Sequence, residues 1–392
     1  MKPLYLAIAL STLDHVFFSG ARLGVLLYAA QLTASPMLVG LTSALFTIPS
    51  VFTSVGMGRW SDRVGARKPM QIGSAVMLAG GAIAFFWRDL IGLCVASAVI
   101  GSGFNLFFIA HQRLIGQYGK PEDRVTNFSL LSLGYSISGF IGPLLAGFAI
   151  DAIGHAASLL ALSFVTVIPI AVIALDKLEF PSDRLRAPAP AQKGAGMLSL
   201  LSEPAMRRLY GMSTLAQGTW SIVIFLVPVY GTQIGLSASR IGLLMGSFSL
   251  ATVAVRMFLP FLSRRLTPWQ LLIVSLAAAA SAFIGIPLVT QMQPLAAVVF
   301  WLGLGLGIAG PMSQALLYEV APAERVGEAL GLRVLMMNTS HSAVPLLTGA
   351  MGTAVGVGPV FWVLAATLLG GCYATRAQWR AGRRGRRPAA SE

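Results

Sequence analysis

Residues 58–69 read GRWSDRVGARKP, five charged side chains in twelve positions, in a chain of 392 residues of which only 11% are charged. The stretch before it, PMLVGLTSALFTIPSVFTSVGM, carries no charge, and neither does the stretch after it, MQIGSAVMLAGGAIAFFW. As helix, each flank is long enough to cross the ~30 Å of a bilayer's hydrocarbon. A charged hinge between two such runs reads as an aqueous turn between two membrane spans.

The pattern repeats along the chain, which is 56% hydrophobic with a mean hydropathy of +0.76. Apolar runs fall near 4–30, 36–57, 69–87, 90–112, 127–150, 155–175, 209–231, 237–260, 268–290, 294–318, 327–351 and 357–375. No long stretch alternates with period two, which argues against a β-barrel. The expected class is therefore an all-α membrane protein of twelve spans. The first run, just after Lys2, is too long for a signal peptide and lacks a small-residue cleavage site, so it reads as a helix. Cys94 and Cys372 lie in different spans and form no disulfide or metal pattern.

Charge sets the orientation. With the N-terminus inside, 23 of the 28 basic residues lie on the cytoplasmic side. Only Arg88 and Arg240 lie on the other, and Arg22, Arg256 and Arg333 fall within spans. The asymmetry follows the positive-inside rule. The net charge of +14 thus reflects orientation and contact with anionic inner-leaflet lipids, not nucleic acid. Both termini are expected in the cytoplasm of a bacterial-type inner membrane.

The polar segment 176–208 divides the spans six and six and reads as a cytoplasmic linker with a short surface helix near 197–203. It separates an N-terminal bundle (1–175) from a C-terminal bundle (209–375), which is followed by a basic tail (376–392). The halves match at a nearly constant offset. A shift of 202 places Tyr28 on Tyr230, Gly40 on Gly242, Phe46 on Phe248, Ser61 on Ser263 and Arg63 on Arg265, and PLLAG (143–147) on PLLTG (345–349). A shift of 201 places PEDRV (121–125) on PAERV (322–326). Such parallel repeats imply two six-helix bundles about a pseudo-two-fold axis along the membrane normal, with a site between them.

In length, spans, linker and repeat the chain resembles the major facilitator superfamily. Gly58, Asp62, Arg63, Gly65, Arg67 and Lys68 resemble its turn motif between the second and third spans, with Ala66 where a basic residue is usual. In the fifth span, Gly134, Ser138, Gly142, Pro143 and Gly147 resemble the motif of exporters in the drug/proton antiporter branch, with Ser138 and Ala146 in place of glycines. The arginine many such exporters carry in the fourth span is absent. The resemblance implies alternating access with a cytoplasmic gate at the charged turn. There Asp62 is expected to dock at the start of the eleventh span, and its basic neighbours to pair with acids such as Asp123 or Glu324 or with lipid phosphate.

Charges inside spans usually mark function. Asp14, mid-depth in the first span, and the adjacent His15 suit proton coupling. An acid in this span also occurs in proton-coupled exporters of the family. Arg22 reads equally as cavity-lining or reaching the outer surface, while Arg256, close to its helix end, reads as snorkelling. Arg333, Asn338 and His341 on the eleventh span are cavity candidates. The resemblance adds Asn105, Gln217, Trp220, Gln314 and Tyr318, because spans one, four, seven and ten mostly line the family's cavity.

No phosphate-binding loop is present, so ATP is not the expected driver. No enzyme chemistry and no cofactor or metal is expected; the driving force is a proton gradient. The expected function is proton-coupled export of a small organic solute by a monomer. The alternatives are organic-anion exchange or uptake, and lipid flipping or scrambling.

Overall fold

A computed structural model describes residues 2–120, 123–180, 197–322 and 325–384. Glu324, most of the linker and the end of the basic tail lie outside them. No strand occurs among the described residues. Before the linker come α1 (Lys2–Leu32), α2 (Pro36–Leu45), α3 (Ile48–Val64), α4 (Arg67–Phe86), α5 (Leu90–Gln117), α6 (Arg124–Ile153), α7 (His155–Ser163) and α8 (Val167–Ala174). After it come α9 (Pro204–Gln233), α10 (Ala238–Leu262), α11 (Pro268–Gly285), α12 (Met292–Val320), α13 (Val326–Val355) and α14 (Val357–Arg384). Ten described stretches are long and apolar enough to cross a membrane, and Val357–Tyr373 is a shorter apolar helix. The eleventh expected span lies in the 30-residue α13.

Two spans expected as single helices are interrupted. The second breaks into α2 and α3 at a turn before Ile48–Pro49, where Pro49 takes the first turn of the new helix. There its missing N–H costs nothing. The sixth passes through a 3₁₀ turn, Phe164–Thr166, before Pro169, which cannot donate to the preceding turn. The short helix expected near 197–203 is a 3₁₀ turn, Met197–Ser202, and α9 begins at Pro204, inside the expected linker.

The chain packs as two compact units. The first gathers Met1–Gln192 with Ile222–Ser249 and His341–Val357, so it includes stretches of α9, α10 and α13. Small residues set its closest approaches. A Cβ on Gly73 of α4 would lie 2.7 Å from the Gly103 carbonyl oxygen of α5, and one on Gly103 would lie 2.7 Å from that of Gly73. Glycine at both positions lets the two backbones touch. The second unit holds Lys193–Ser221, Leu250–Ser340 and Gly358–Glu392. There Phe283 of α11 meets Phe361 of α14 edge-on, and Gly305 of α12 fits against Ala278 of α11.

Within the first unit, second-half helices meet first-half helices along two seams, on the face away from the basic turns. Gly40 of α2 faces the Pro345 carbonyl of α13, and Gly242 of α10 faces the Pro143 carbonyl of α6. Gly349 faces Pro36 and Met37, while Gly147 faces Ala238 and Ser239. Each residue of one seam lies 202 positions from its counterpart in the other: 40 and 242, 143 and 345, 147 and 349, 36 and 238, 37 and 239. Polar contacts follow suit. Met37 N–H donates to Thr353 Oγ1 at 3.1 Å, and Ser239 N–H donates to Asp151 Oδ2 at 2.9 Å.

Candidate functional site

Helix α6 holds the first unit together because it carries two ridges of small residues. Gly134, Ser138, Gly142 and Ala146 repeat every fourth position and face α1, where a Cβ on Gly20 would lie 2.8 Å from the Gly142 carbonyl oxygen. Gly139, Pro143 and Gly147 form the second ridge, against α10, where Ser249 Oγ donates to the Gly139 carbonyl at 2.9 Å. The motif of the fifth span thus touches α1 on one side and α10 on the other. Asp151, near the end of α6, completes the seam by accepting the N–H groups of Ala238 and Ser239 at the start of α10.

The polar cluster of the first unit lies where α1 meets α4, α5 and α6. Asp14 is fully buried. Its Oδ2 is 2.6 Å from Ser74 Oγ, and its Oδ1 has no hydrogen-bond partner among the described residues. Ser74 Oγ is also 3.2 Å from the Met70 carbonyl. A hydroxyl has one proton, so Ser74 donates either to the carboxylate or to Met70. A neutral Asp14 fits the second arrangement, giving its own proton to Ser74 Oγ.

His15 turns to α6 instead. Its Nδ1 is 2.6 Å from Ser138 Oγ, and its ring lies 4.8 Å from Tyr135 and 5.4 Å from Phe104. Tyr135 Oη is 2.9 Å from Ser11 Oγ. Arg22 lies two turns further along α1, its guanidinium 5.9 Å from the Phe18 ring and within electrostatic reach of both His15 and His341. The Nε of Arg22 is buried without a hydrogen-bond partner among the described residues. Asn105 is turned to α3, donating to Ser54 Oγ at 3.0 Å.

The charged turn is held within the first unit. Gly65 ends α3 at φ 80°, a left-handed conformation that glycine adopts without strain. Asp62 lies 3.5 Å from Arg113 of α5, and Arg67 pairs with Asp176 at 2.6 Å while donating to the Ile173 carbonyl at 3.2 Å. For Arg67 the partner is thus Asp176 and not Asp123, which accepts the Lys120 N–H at 2.8 Å. Arg63 and Lys68 are exposed, and a Cβ on Gly58 would meet open space.

In the second unit, Gln217 and Trp220 of α9 line a cavity of about 120 Å³ with Arg256 of α10 and Gly310 of α12. Arg256 is thus turned into the protein, where the sequence suggested snorkelling. Gln314 and Tyr318, the candidates on α12, are exposed and do not line it. Arg333 and Asn338 are half-buried on α13. Sequence reasoning missed Ser74, Tyr135 and Asp151. The first two are polar residues common in apolar helices, and their positions opposite α1 follow from packing alone. Asp151 was visible as a lone acid at a span's end.

The comparisons with known proteins agree with this architecture. The Major Facilitator Superfamily profile matches residues 4–340. Sugar efflux transporter A of Escherichia coli (strain K12) is 22% identical over 351 residues, covering 87% of this chain and 86% of that protein. The class D tetracycline resistance protein of Salmonella ordonez is 23% identical over 327 residues, covering 79% and 78%. Among solved structures, a peptide transporter POT in complex with sulfate superposes with a TM-score of 0.79 at 18% identity, covering 97% of this chain and 95% of that one. The nucleoside transporter NupG superposes with a TM-score of 0.77 at 14% identity, covering 97% and 99%. With the profile spanning most of its length, the chain belongs to the major facilitator superfamily of membrane transporters.

Proposed function

We propose that this transporter exports a small organic solute in exchange for protons, by alternating access between two six-helix bundles. The basic face is cytoplasmic, and the two seams are the closed outer gate. Their reciprocal contacts are those expected of two related halves meeting about a pseudo-two-fold axis, as in a symmetric dimer interface. A sugar or sugar-like solute is the first class to test, because a relative is named for sugar efflux.

The observation that carries the coupling is Asp14, a buried carboxyl with one hydroxyl partner and one unpaired oxygen. An isolated charge in that setting is costly, so the acid is held neutral while it stays enclosed. Water reaching it from either face releases or supplies the proton. Ser74 follows the change by swinging between Asp14 and the Met70 carbonyl. His15, tied to Ser138, connects the same helix to the ridge of α6 that backs the outer gate.

Proteoliposomes loaded with radiolabelled solute and given an inward proton gradient test the reading. Asp14→Asn should abolish gradient-driven efflux while leaving solute-for-solute exchange. Full gradient-driven efflux by the variant would remove Asp14 from the mechanism.

A further inference from the structure

Two arginines inside spans differ in how they are held. Arg256 of α10 lies with its Nε 3.4 Å from the Gly307 carbonyl of α12. Arg22 of α1 has no such tie. Its Nε is buried without a hydrogen-bond partner, and its guanidinium forms no ion pair, among the described residues. Phe18 is 5.9 Å away, at the outer limit of a cation–π contact.

The carboxylates of the first unit are committed elsewhere. Asp14 is held by Ser74, Asp62 by Arg113 and Asp176 by Arg67, while Asp89, Asp123 and Asp151 accept backbone N–H groups. Bulk water on the outer face does not reach the charge either. Arg22 is ten residues, about 15 Å, short of the end of α1 at Leu32. Helix side chains lean toward the helix N-terminus, here the inner end, so the stem leans away from the outer surface. Arg22, His15 and His341 are each half-buried although protein encloses them, so their exposed area faces an interior space rather than lipid.

The groups around the guanidinium suit one chemistry. His15, Phe18 and Arg22 share a face of α1, and His341 of α13 is within electrostatic reach. His15 Nδ1 is taken by Ser138, which leaves Nε2. Phe104 stacks on Phe18 at 3.9 Å and supplies an apolar wall. Neither imidazole supplies negative charge. An enclosed cation in this setting favours an anion, and a planar guanidinium matches a carboxylate or phosphate with paired hydrogen bonds. A neutral hydroxyl would leave the charge uncompensated.

Resting on the reading of the chain as a solute transporter, we propose that Arg22, flanked by His15 and His341, binds an anionic group, carboxylate or phosphate, of the transported solute. The guanidinium takes two oxygens, and the Phe18–Phe104 pair lies along the adjoining carbon skeleton.

The test uses the full-length protein in an uncharged detergent, read by calorimetry and thermal shift at fixed pH and ionic strength. The probes are glucose 6-phosphate, glucuronate, inorganic phosphate and uncharged methyl glucoside. The wild type should bind a charged sugar about ten-fold more tightly than the neutral one. Arg22→Gln should erase that preference and Arg22→Lys keep part of it. The unpaired charge is also tested with no ligand present: the empty Arg22→Gln protein should melt no lower than the wild type. A lower melting temperature would reveal a partner inside the protein and overturn the proposal. So would measurable but equal binding of charged and neutral sugars by the wild type, a preference surviving Arg22→Gln, or no binding of any charged probe. Inorganic phosphate binding that is lost in Arg22→Gln, with no sugar bound, would support the subsite and reject a sugar body.

A phosphate could also come from lipid. Repeating the titration in nanodiscs of phosphatidylglycerol and of phosphatidylcholine separates the sources. Charged probes should bind in both; their loss in phosphatidylglycerol alone would assign the subsite to lipid and overturn the solute role. Asp14→Asn should retain the charged-probe preference, because Asp14 turns to Ser74. Gradient-driven transport persisting in that variant would refute proton coupling through Asp14 and leave the subsite standing.

Discussion

Asp151 and Ser239 join the end of α6 to the beginning of α10, the carboxylate accepting the Ser239 N–H at 2.9 Å and, through its other oxygen, the Ala238 N–H at 3.1 Å. These are two of the donors that a helix leaves free at its start, and they favour negative charge. The side chain is exposed, so water competes and the contribution is about 0.3–1 kcal/mol. Asp151→Ala should raise the population open on this face by roughly two- to five-fold. Spin labels at positions 153 and 237 would report it as growth of a longer-distance component; an unchanged distribution would count against the latch.

The seams should also respond alike to crowding. A Cβ at Gly242 would sit 2.6 Å from the Pro143 carbonyl oxygen, and one at Gly40 would press on the Pro345 carbonyl. Gly40→Ala and Gly242→Ala should each hinder closure and slow transport by similar factors. Cysteine accessibility on the face away from the basic turns would check this. A large effect from one and none from the other would break the equivalence.

The Arg67–Asp176 pair should matter little for stability. Both side chains are well exposed, at 40% and 72%, and such pairs are worth about 0–1 kcal/mol and are screened by salt. Asp176 also has a left-handed φ of 55°, which favours glycine. Asp176→Gly should therefore change the melting temperature only slightly, more favourably at high salt than at low. A large loss at either salt concentration would point to a different role.

Asp89 caps α5, accepting the Gly92 N–H at 2.8 Å and the Trp87 indole N–H at 2.9 Å. The Gly92 bond is the main cause holding its carboxyl below the usual aspartate range. A depressed folded-state value contributes stability above the unfolded value and loses it as pH falls through the folded one. Asp89→Ala should accordingly melt earlier at neutral pH, and its difference from the wild type should shrink once the solution is more acidic than that depressed value. A pH-independent difference would exclude the carboxylate as its source.

Much of the fold could be read from the sequence because hydrophobic runs and basic turns are local signals. Gly40, Gly242, Pro143 and Pro345 even stood in register as repeat partners, although only the fold places the first against the last and the second against the third. The interruptions near Pro49 and Pro169 were less legible, since proline is tolerated within membrane helices elsewhere in this chain, as at Pro143 and Pro228. The site was legible by type rather than by partner. Asp14 stood out as a charge at depth, whereas Ser74 is one of many serines in apolar helices. Arg256 was visible as an intramembrane charge, but its direction depends on Gly307 of a different helix, and no spacing within α10 encodes that.

The two seams match in backbone and differ in fastening. One is fixed by a carboxylate gripping two amides, the other by uncharged hydroxyls, Thr353 accepting the Met37 N–H and Thr47 Oγ1 lying 2.9 Å from Ser342 Oγ. A doorway so built has a latch side and a looser side. Parting is expected to begin between α2 and α13, with α6 and α10 serving as the pivot. Paired labels across each seam should then record shorter-lived and more frequent excursions at the threonine edge, and Thr353→Asp should slow them.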